Sequence, residues 1–275
     1  MNASKTTTHA IVARDADLVI VLRRGPSRHV RLLRWDLRRD EVEGGQWLMG
    51  TVTFGACSLS PKGELLVYVA RKGSRTFTAV SRPPYFTALA FWESELPWTG
   101  GGFFVDDDHL VLGVTHEPNQ GSLPPRLKIS DIWSYLPWKG NALEPSSATF
   151  GEAVLATPAA HQHWQREGPR YRKASPRNPS LVLERDEPPG RAGSFRLVTA
   201  GARIRELGSL DWADWAKDGT LLFGDAGRLY RRPLRDADEL SDPSLVADLT
   251  AQPFEHIEAP EEARRWPRAL TPATR

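Results

Sequence analysis

The sequence predicts an all-β fold, a single β-propeller, on two observations: one hairpin motif is written twice, and its second strand recurs at a nearly regular spacing. The clearer copy is ACSLSPKGELLVYVA at 56–70, in which two apolar runs flank the turn Ser60-Pro61-Lys62-Gly63. Proline presets φ at the second turn position, and glycine takes φ > 0 without a steric penalty. WADWAKDGTLLF at 212–223 is a near copy. Repetition of one supersecondary unit therefore indicates a repeat architecture.

The spacing of the second strands indicates how many repeats there are. The first apolar residues after each turn are Leu18, Leu65, Leu110, Leu181 and Leu221. Successive intervals are 47, 45, 71 and 40 residues, which fits a blade period of about 40 to 45 residues if the third interval contains about 25 inserted residues. We therefore predict five blades, all antiparallel. Four blades are the near alternative because the fourth is weakly patterned, and a non-repetitive β-sandwich or barrel with similar hairpins is the other.

The first three blades follow in chain order. Blade one contains AIVA, LVIVL and HVRLLRWDL within 10–37, and EGG at 43–45 is predicted to close a turn before QWLMGTVTF. Blade two contains SLSPKG, ELLVYVA, SRTFTAVS and YFTALAFW, which alternate or run apolar with a turn between each pair. Blade three begins at Gly100 and turns at DDDH, residues 106–109, before LVLGV. These segments predict meanders of short strands.

The second half of the chain is less regular. A loop or short-helix insertion is predicted near 115–150, where Ser130 and Asp131 can cap a short helix. Blade four is predicted within 161–210 and blade five within 211–251, and 254–258 is predicted to be a closing strand that removes a free sheet edge. The chain is thus predicted to be one domain over 1–275, with flexible tails at 1–8 and about 262–275.

Composition favours the same fold class and suggests a compartment. The 275 residues include 22 prolines and 22 glycines, which suit short strands and tight turns better than long helices. Cys57 is the one cysteine, which excludes an intrachain disulfide and is compatible with a reducing compartment. The N-terminus lacks an apolar signal core, and no apolar run reaches the ~18 residues of a membrane span. We therefore expect a cytoplasmic protein without membrane contact, and arginine outnumbers lysine about fourfold, which is typical of a GC-rich bacterial genome.

SLSPKGELLVYVA and DWADWAKDGTLLFGDAGRLYRRPL resemble the repeats of bacterial TolB-like and WD40-like propellers, whose turns often read SPDG or KDG before an apolar strand. The resemblance covers blades two and five well, one and three loosely, and four poorly. It departs from the WD40 pattern because the regular Gly-His pairs and most Trp-Asp pairs are missing. It implies a propeller fold and a binding platform, and no catalytic residue can be carried over from it.

No motif in the chain predicts catalysis. A G-x-S-x-G elbow, a P-loop and G-x-G-x-x-G are absent, and Cys57 occupies a predicted core position that disfavours a cysteine nucleophile. The acidic run at 106–109 offers hard oxygen ligands, and His161 and His163 share one strand face, but both groups also fit ordinary turn and loop chemistry. We predict no cofactor and no metal. A glycosidase-like or metal-dependent hydrolase stays open as an alternative, because glycosidases need only two carboxylates about 5 to 10 Å apart.

The surface predicted to bind a partner lies where the repeat period breaks, because propellers vary their loops and keep their blades. Aromatic and arginine side chains are enriched at protein–protein hot spots. The predicted partner-binding residues are Trp133, Tyr135, Trp138, Trp164, Arg170, Tyr171, Arg172 and Lys173. A net charge of +2 favours a protein partner. The predicted function is a non-enzymatic protein-interaction module or scaffold in a bacterial cytoplasmic complex.

The same region leaves a nucleic-acid partner open as the alternative. Residues 161–196 carry eight lysines and arginines against four acidic residues, a local charge of +4. Trp164 and Tyr171 lie within this stretch, and a basic segment with interleaved aromatic side chains can contact phosphates and stack on bases. This alternative predicts a nucleic-acid-binding accessory subunit.

Overall fold

The chain folds into five small β-sheets arranged as the blades of a propeller. The computed structural model describes residues 6–25, 28–94, 100–113, 117–131, 164–187, 191–199, 203–234 and 241–271. Within these residues the secondary structure is almost entirely strand, and the remaining elements are short 3-10 helices at Phe54–Ala56, Glu261–Arg264 and Arg268–Leu270. No helix in the described ranges has the length and apolar character needed to cross a bilayer.

Blades one and two occupy the first part of the chain. The strands of blade one are β1 (Thr7–Val12), β2 (Leu18–Arg24), β3 (His29–Asp36) and β4 (Glu41–Met49). The early strands of blade two are β5 (Thr51–Val52), β6 (Ser58–Leu59), β7 (Leu66–Lys72), β8 (Arg75–Ser81) and β9 (Ala88–Ser94).

Blade three has three short strands, and its sequence is interrupted by one strand that belongs to the sheet of blade two. The strands of blade three are β10 (Gly102–Asp106), β11 (His109–Leu112) and β13 (Lys128–Asp131). Between them in sequence lies β12 (Gln120–Gly121), which pairs antiparallel with β9 and so completes the sheet of blade two.

Blades four and five are antiparallel meanders. The strands of blade four are β14 (Gln165–Glu167), β15 (Arg170–Ala174), β16 (Leu181–Arg185), β17 (Gly193–Thr199) and β18 (Ile204–Leu210). The strands of blade five are β19 (Trp212–Trp215), β20 (Leu221–Asp225), β21 (Arg228–Arg232) and β22 (Ser244–Asp248).

In each blade one strand follows the repeated turn, and we call it the second strand; β5 and β14 precede the repeated hairpin and are not counted. Most residues of each second strand are buried. Burial along β2, β7, β11, β16 and β20 does not alternate strictly, because both faces of these strands are largely covered. The core therefore lies between blades, in separate clusters that join blades one and two, two and three, four and five, and five and one. Trp35 and Trp212 are the largest side chains in the cluster that joins the last blade to the first.

The repeat predicted from the leucine spacing is confirmed. Three of the five marker leucines, Leu18, Leu181 and Leu221, begin a second strand, and the other two lie one residue from such a start. The two copies of the hairpin have the same turn, since Gly63 N–H bonds to Ser60 O at 2.8 Å and Gly219 N–H bonds to Ala216 O at 2.9 Å. The five-bladed, all-β propeller is therefore the observed fold.

Two parts of the sequence prediction at blade three are wrong. Pairing is not antiparallel throughout, because β11 and β13 run parallel. The range 117–131, which was assigned to an insertion, contributes β12 and β13 to the sheets of blades two and three. These two strands are short and polar, so their sequences carry no apolar pattern. The remainder of the predicted insertion, 132–150, lies outside the described residues.

The predicted closing strand at 254–258 is also wrong, because those residues form no ladder. Residues 250–271 instead run as a strap across the outside of blades one to three. Gln46 Nε2 donates to Ile257 O, Arg82 donates to Glu262 O, and Trp266 Nε1 donates to Ser122 O, at 2.8 to 3.0 Å. Prolines at 253, 260 and 267 lack the N–H that a ladder requires, which accounts for the irregular path.

The packed chain extends further towards both ends than the sequence predicted. β1 begins at Thr7, inside the range 1–8 that was expected to be a flexible tail. Within 262–275, also expected to be a tail, Ala263 and Leu270 are buried, and Leu270 packs in the cluster between blades two and three.

Candidate functional site

One end of the propeller carries the turns that connect the first and second strands of every blade. In the two hairpin copies these turns follow β6 and β19, and in the other blades they follow β1, β10 and β15. Because the five inner strands point to the same end of the ring, their turns surround the mouth of the central channel. We call this end the turn face.

The turns of neighbouring blades are bonded to each other. Asp15 N–H donates to Pro61 O at 2.8 Å, which ties blade one to blade two. Lys62 N–H donates to Asp107 Oδ1 at 2.9 Å, which ties blade two to blade three. Lys217 Nζ donates to Asp15 O at 3.3 Å, which ties blade five to blade one. The turn face is therefore a connected platform rather than a set of independent loops.

A cavity of about 150 Å³ lies at the mouth of the channel. Every blade contributes to its wall, and most of the wall is apolar. One lining residue from each blade is Val12, Leu59, Phe104, Pro176 and Trp215. The charged side chains that line it, Arg14, Lys173 and Lys217, are all cationic.

A recess of about 730 Å³ lies on the turn face between blades one, four and five. Its wall carries four cations against two carboxylates, so we call it the basic recess. The cations are Arg38, Arg177, Lys217 and Arg231, and the carboxylates are Asp17 and Asp218.

A second recess, of about 310 Å³, lies on the same face between blades one, two and three. Its wall carries five carboxylates against two cations, so we call it the acidic recess. The carboxylates are Asp15, Glu64, Asp106, Asp107 and Asp108, and the cations are Arg14 and Lys62. The end of the strap, including Leu270, completes the wall.

Some of these charges are neutralised locally and others are not. In the basic recess Arg38 Nε lies 2.8 Å from Asp17 Oδ2, and Arg231 pairs with Asp40. Arg177 is exposed and has no ion pair with any described residue. A Cβ on Gly219 would touch the Arg177 side chain, which places this arginine directly over the turn of blade five.

The acidic recess has the same mixture of paired and unpaired charge. Lys62 Nζ lies 3.4 Å from Asp107, and Arg14 lies 3.6 Å from Asp106. Glu64, which is exposed, has no ion pair within the described part of the chain. The two recesses therefore present net charges of opposite sign on one face.

The structure places five of the eight predicted partner-binding residues. Trp133, Tyr135 and Trp138 lie outside the described residues. Trp164 and Tyr171 are only 5% and 6% exposed and pack in the core of blade four, with the Arg185 guanidinium 5.7 Å from the Trp164 ring. Both rings are therefore core residues, and the sequence-based assignment of these two to a surface is corrected. Their packing against the apolar residues of blades four and five, rather than their residue type, decides their burial.

The three cationic candidates have different surroundings. Arg170 is exposed on β15. Arg172 contacts Glu167 and Glu184, with Nε 2.9 Å from Glu184 Oε1. Lys173 Nζ lies 2.6 Å from Asp214 Oδ1, and Lys173 lines the channel cavity. Among the five candidates that the structure describes, Lys173 is therefore the one that reaches the turn face.

The geometry of blade four does not support the nucleic-acid alternative. Base stacking needs exposed rings, and Trp164 and Tyr171 are buried. Several cationic side chains of the 161–196 stretch are buried or form ion pairs with carboxylates of the protein, so they are not free to contact phosphates. These are Arg172, Lys173, Arg185 and Arg196.

The acidic run at 106–109 has structural partners. Asp106 and Asp107 contact Arg14 and Lys62, and His109 Nε2 forms a 2.8 Å hydrogen bond with Ser130 Oγ. No group of three or more ligating side chains is arranged to hold a metal ion among the described residues. His161 and His163 lie outside those residues.

Cys57 is buried, and burial raises the pKa of its thiol to about 12. A thiol with that pKa is protonated at neutral pH and is a poor nucleophile. Cys57 is therefore a core residue of the first hairpin, as the sequence predicted.

No protein-family model matches the chain, and no curated protein is significantly similar to it. Similar solved structures include an uncharacterized protein from Listeria monocytogenes EGD-e, with 10% identity and a TM-score of 0.33 over 84% of this chain and 63% of that one. They also include the β-propeller domain of the Trilobed protease from Pyrococcus furiosus, with 14% identity and a TM-score of 0.32 over 86% of this chain and 70% of that one.

TolB from Acinetobacter baumannii is similar at 12% identity and a TM-score of 0.27, over 82% of this chain and 50% of that one. The chain spans less than two thirds of the Listeria protein and half of this TolB. These similarities concern the propeller fold and transfer no residue role. The fold and the turn face define a propeller with a charged platform around its channel mouth.

Proposed function

We propose that this protein is a non-enzymatic protein-interaction module that binds its partner on the turn face. The observation that carries the proposal is the pair of recesses with opposite net charge on one connected platform. A rigid face that presents both signs suits a folded partner, because charge complementarity fixes orientation and suppresses wrong partners.

The charges define the chemistry of the partner surface. An acidic region of the partner meets the basic recess at Arg177, and a basic region meets the acidic recess at Glu64. Both side chains are exposed and neither has an ion pair with a described residue, so neither has to break an ion pair within the described part of the chain to bind. Nucleic acid fits this face less well, because the five carboxylates of the acidic recess repel a phosphate backbone.

The proposed surface differs in part from the one expected from the sequence. The sequence placed the partner on the insertion and the start of blade four. The blade-four turn at Pro176 and Arg177 is retained here, while Trp133, Tyr135 and Trp138 remain predicted contacts outside the described residues.

We further propose that the complex is cytoplasmic and bacterial. The single cysteine, buried as a free thiol, fits a reducing compartment, and the arginine-rich composition fits a GC-rich bacterium. Cell fractionation with antibody detection tests the compartment, and recovery of the protein in a periplasmic or secreted fraction would contradict it.

A charge-exchange variant tests the proposed function. Arg177→Glu combined with Glu64→Lys inverts one unpaired charge in each recess and leaves the net charge of the protein unchanged. We expect partner capture from the native host to weaken by at least about tenfold, because two complementary contacts become repulsive. The readout is quantitative capture at matched bait concentrations.

The matched control makes the same exchange at the opposite end of the propeller. Lys72→Glu with Asp225→Lys changes two exposed side chains where β7 and β20 end, far from the turn face. This control is expected to capture the partner as the wild type does. Equal capture by the charge-exchange variant, or an affinity for captured nucleic acid that falls ~10³-fold between 50 and 200 mM salt, would contradict the proposal.

A further inference from the structure

The cavity at the channel mouth has the composition of a small-molecule site. It adjoins the two recesses used in the proposed function, because Arg14 also lines the acidic recess and Lys217 also lines the basic recess. Ligand cavities are mostly apolar and carry a few polar groups that fix orientation. Here the apolar wall includes Val12, Leu59, Phe104 and Trp215, contributed by four different blades.

The size of the cavity limits the ligand. Its volume of about 150 Å³ is small. An apolar cavity of about 150 Å³ accommodates a single benzene-sized molecule. The apolar part of a ligand is therefore one six-membered ring or an aliphatic chain of similar volume.

The charged groups of the cavity wall are all positive. The charged side chains that line the cavity are Arg14, Lys173 and Lys217, and its wall includes no carboxylate side chain among the described residues. Arg14 and Lys217 are partly exposed at the rim, with side-chain exposures of 41% and 47%. Lys173 is deeper, at 15% exposure.

Lys173 lines the cavity and has donor capacity beyond its ion pair. Its Nζ lies 2.6 Å from Asp214 Oδ1 and 2.9 Å from Asp214 Oδ2, and an ammonium group has three hydrogens. Both contacts are to one carboxylate, which leaves donor capacity for an oxygen in the cavity. The other polar groups nearby are satisfied, since Ser58 Oγ accepts from Phe104 N–H at 3.2 Å and Trp215 Nε1 donates to Lys173 O at 3.0 Å.

We infer that the channel mouth binds a small apolar carboxylic acid, with its hydrocarbon body in the cavity and its carboxylate at the rim. The hydrocarbon contacts the Phe104 and Trp215 side chains, and the carboxylate faces Arg14, Lys173 and Lys217. Arg14, Lys173 and Lys217 each have a carboxylate partner that does not line the cavity, at 2.6 to 4.0 Å. A cationic ligand would still meet three like charges, and a neutral ligand would make no charge-assisted hydrogen bond with them. This site goes beyond the proposed protein-interaction function and does not depend on it.

Calorimetric titration of the purified protein tests the inference with three probes. Phenylacetate has both a ring and a carboxylate, phenylacetamide keeps the ring without the charge, and acetate keeps the charge without the ring. We expect saturable binding of phenylacetate at least about tenfold tighter than that of either control probe, because each control lacks one of the two contacts. Absence of saturable phenylacetate binding, or equal binding of phenylacetamide, overturns the inference.

Two rim variants test the location. Lys217→Gln and Arg14→Gln each remove a cation whose side chain is partly exposed, and each is expected to weaken phenylacetate binding several-fold. Lys62→Gln is the matched control, since it removes a cation of the same face that does not line the cavity. Unchanged binding in both rim variants, with the melting temperature preserved, places the ligand elsewhere and overturns the inference. Because no protein partner is present, these results are independent of the proposed function.

Discussion

The backbone N–H of Thr8, in the first strand, donates a 3.0 Å hydrogen bond to Asp211 Oδ2, at the start of the last blade. The same oxygen accepts from Thr8 Oγ1 and from Gly227 N–H, both at 3.3 Å. Trp212 Nε1 then donates to Thr8 Oγ1 at 3.2 Å. The first and last blades are therefore joined by a buried polar network rather than by a shared strand, and the strap adds a second connection on the outside.

Replacing Asp211 with alanine tests this closure. The change leaves the buried N–H groups of Thr8 and Gly227 without their acceptor, and an unsatisfied buried donor costs about 1 to 3 kcal/mol. We expect the free energy of unfolding in urea to fall by at least about 2 kcal/mol. Asp225→Ala is the control, because Asp225 is an exposed carboxylate of the same blade. Equal midpoints for the two variants would show that the network does not close the ring.

The strap provides a second stability prediction. Trp266 packs against the cluster between blades two and three, and its indole N–H donates to Ser122 O at 2.8 Å. Trp266→Ala is expected to lower the free energy of unfolding by about 1 to 3 kcal/mol through lost packing and the lost hydrogen bond. Arg268→Ala, two residues further along the strap, serves as the control. A melting temperature unchanged by Trp266→Ala would mean that the strap does not clasp the blades.

Substitution of Trp164 distinguishes a core role of this side chain from a role in a partner interface. Trp164 is 5% exposed within the core of blade four, so Trp164→Ala is expected to cost about 3 to 5 kcal/mol of stability. Arg170→Ala, on the exposed side of the neighbouring strand, is expected to change stability by less than about 0.5 kcal/mol. Urea denaturation of both variants measures the two changes in the free energy of unfolding. If Trp164→Ala left stability intact, the ring would belong to a surface, as the sequence first suggested.

The pH dependence of stability has a specific source in His9. His9 is partly buried, and its ring stacks on Phe54 at 5.3 Å. Desolvation of the ring, with a smaller contribution from Arg185, lowers the pKa of His9 to about 3. The unfolded chain therefore binds a proton more readily than the folded one between pH 6.5 and 3. Stability due to neutral His9 is complete above pH 6.5 and is lost as the pH falls.

The expected size of this effect is at most about 1.4 kcal/mol between pH 7.5 and 5.5, a range in which most carboxylates stay ionised. Replacing His9 with glutamine should flatten the profile over that range, whereas His256→Gln, at an exposed position of the strap, should not. Urea unfolding at several pH values measures both profiles. If the free energy of unfolding changed with pH equally in the wild type and in His9→Gln, His9 would not be the source of the pH dependence.

The fold was largely predictable because its repeat is local. A turn of polar, proline or glycine residues and a following apolar run lie within one short window, so Leu18, Leu181 and Leu221 each mark the beginning of a second strand. Gly44 and Gly45 were taken for a turn, yet both lie within β4. A Cβ on Gly45 would clash with the Pro84 carbonyl oxygen, so this glycine serves close approach of a distant segment, which no local pattern reveals.

The candidate site was less predictable because it is assembled from distant turns. Arg38, Arg177 and Arg231 come from different blades and share a recess only after the ring closes. Because tryptophan and tyrosine are common at protein–protein hot spots, the sequence pointed to Trp164 and Tyr171 as interface residues. Their burial depends instead on packing against residues of blades four and five, which are distant in sequence. One signal was available: the five turns of a propeller lie at one end, which would have grouped the acidic run at 106–109 with Pro61 and Lys62.

Lysine-specific cross-linking of the captured complex tests the central claim, that the partner binds the turn face, most directly. Lys62 and Lys217 lie on the turn face, and Lys72 lies at the opposite end of blade two. The predicted result is partner cross-links at Lys62 and Lys217 and none at Lys72, with the cross-links lost in the Arg177→Glu and Glu64→Lys variant. Cross-links concentrated at Lys72, or retained in full by that variant, would contradict the account.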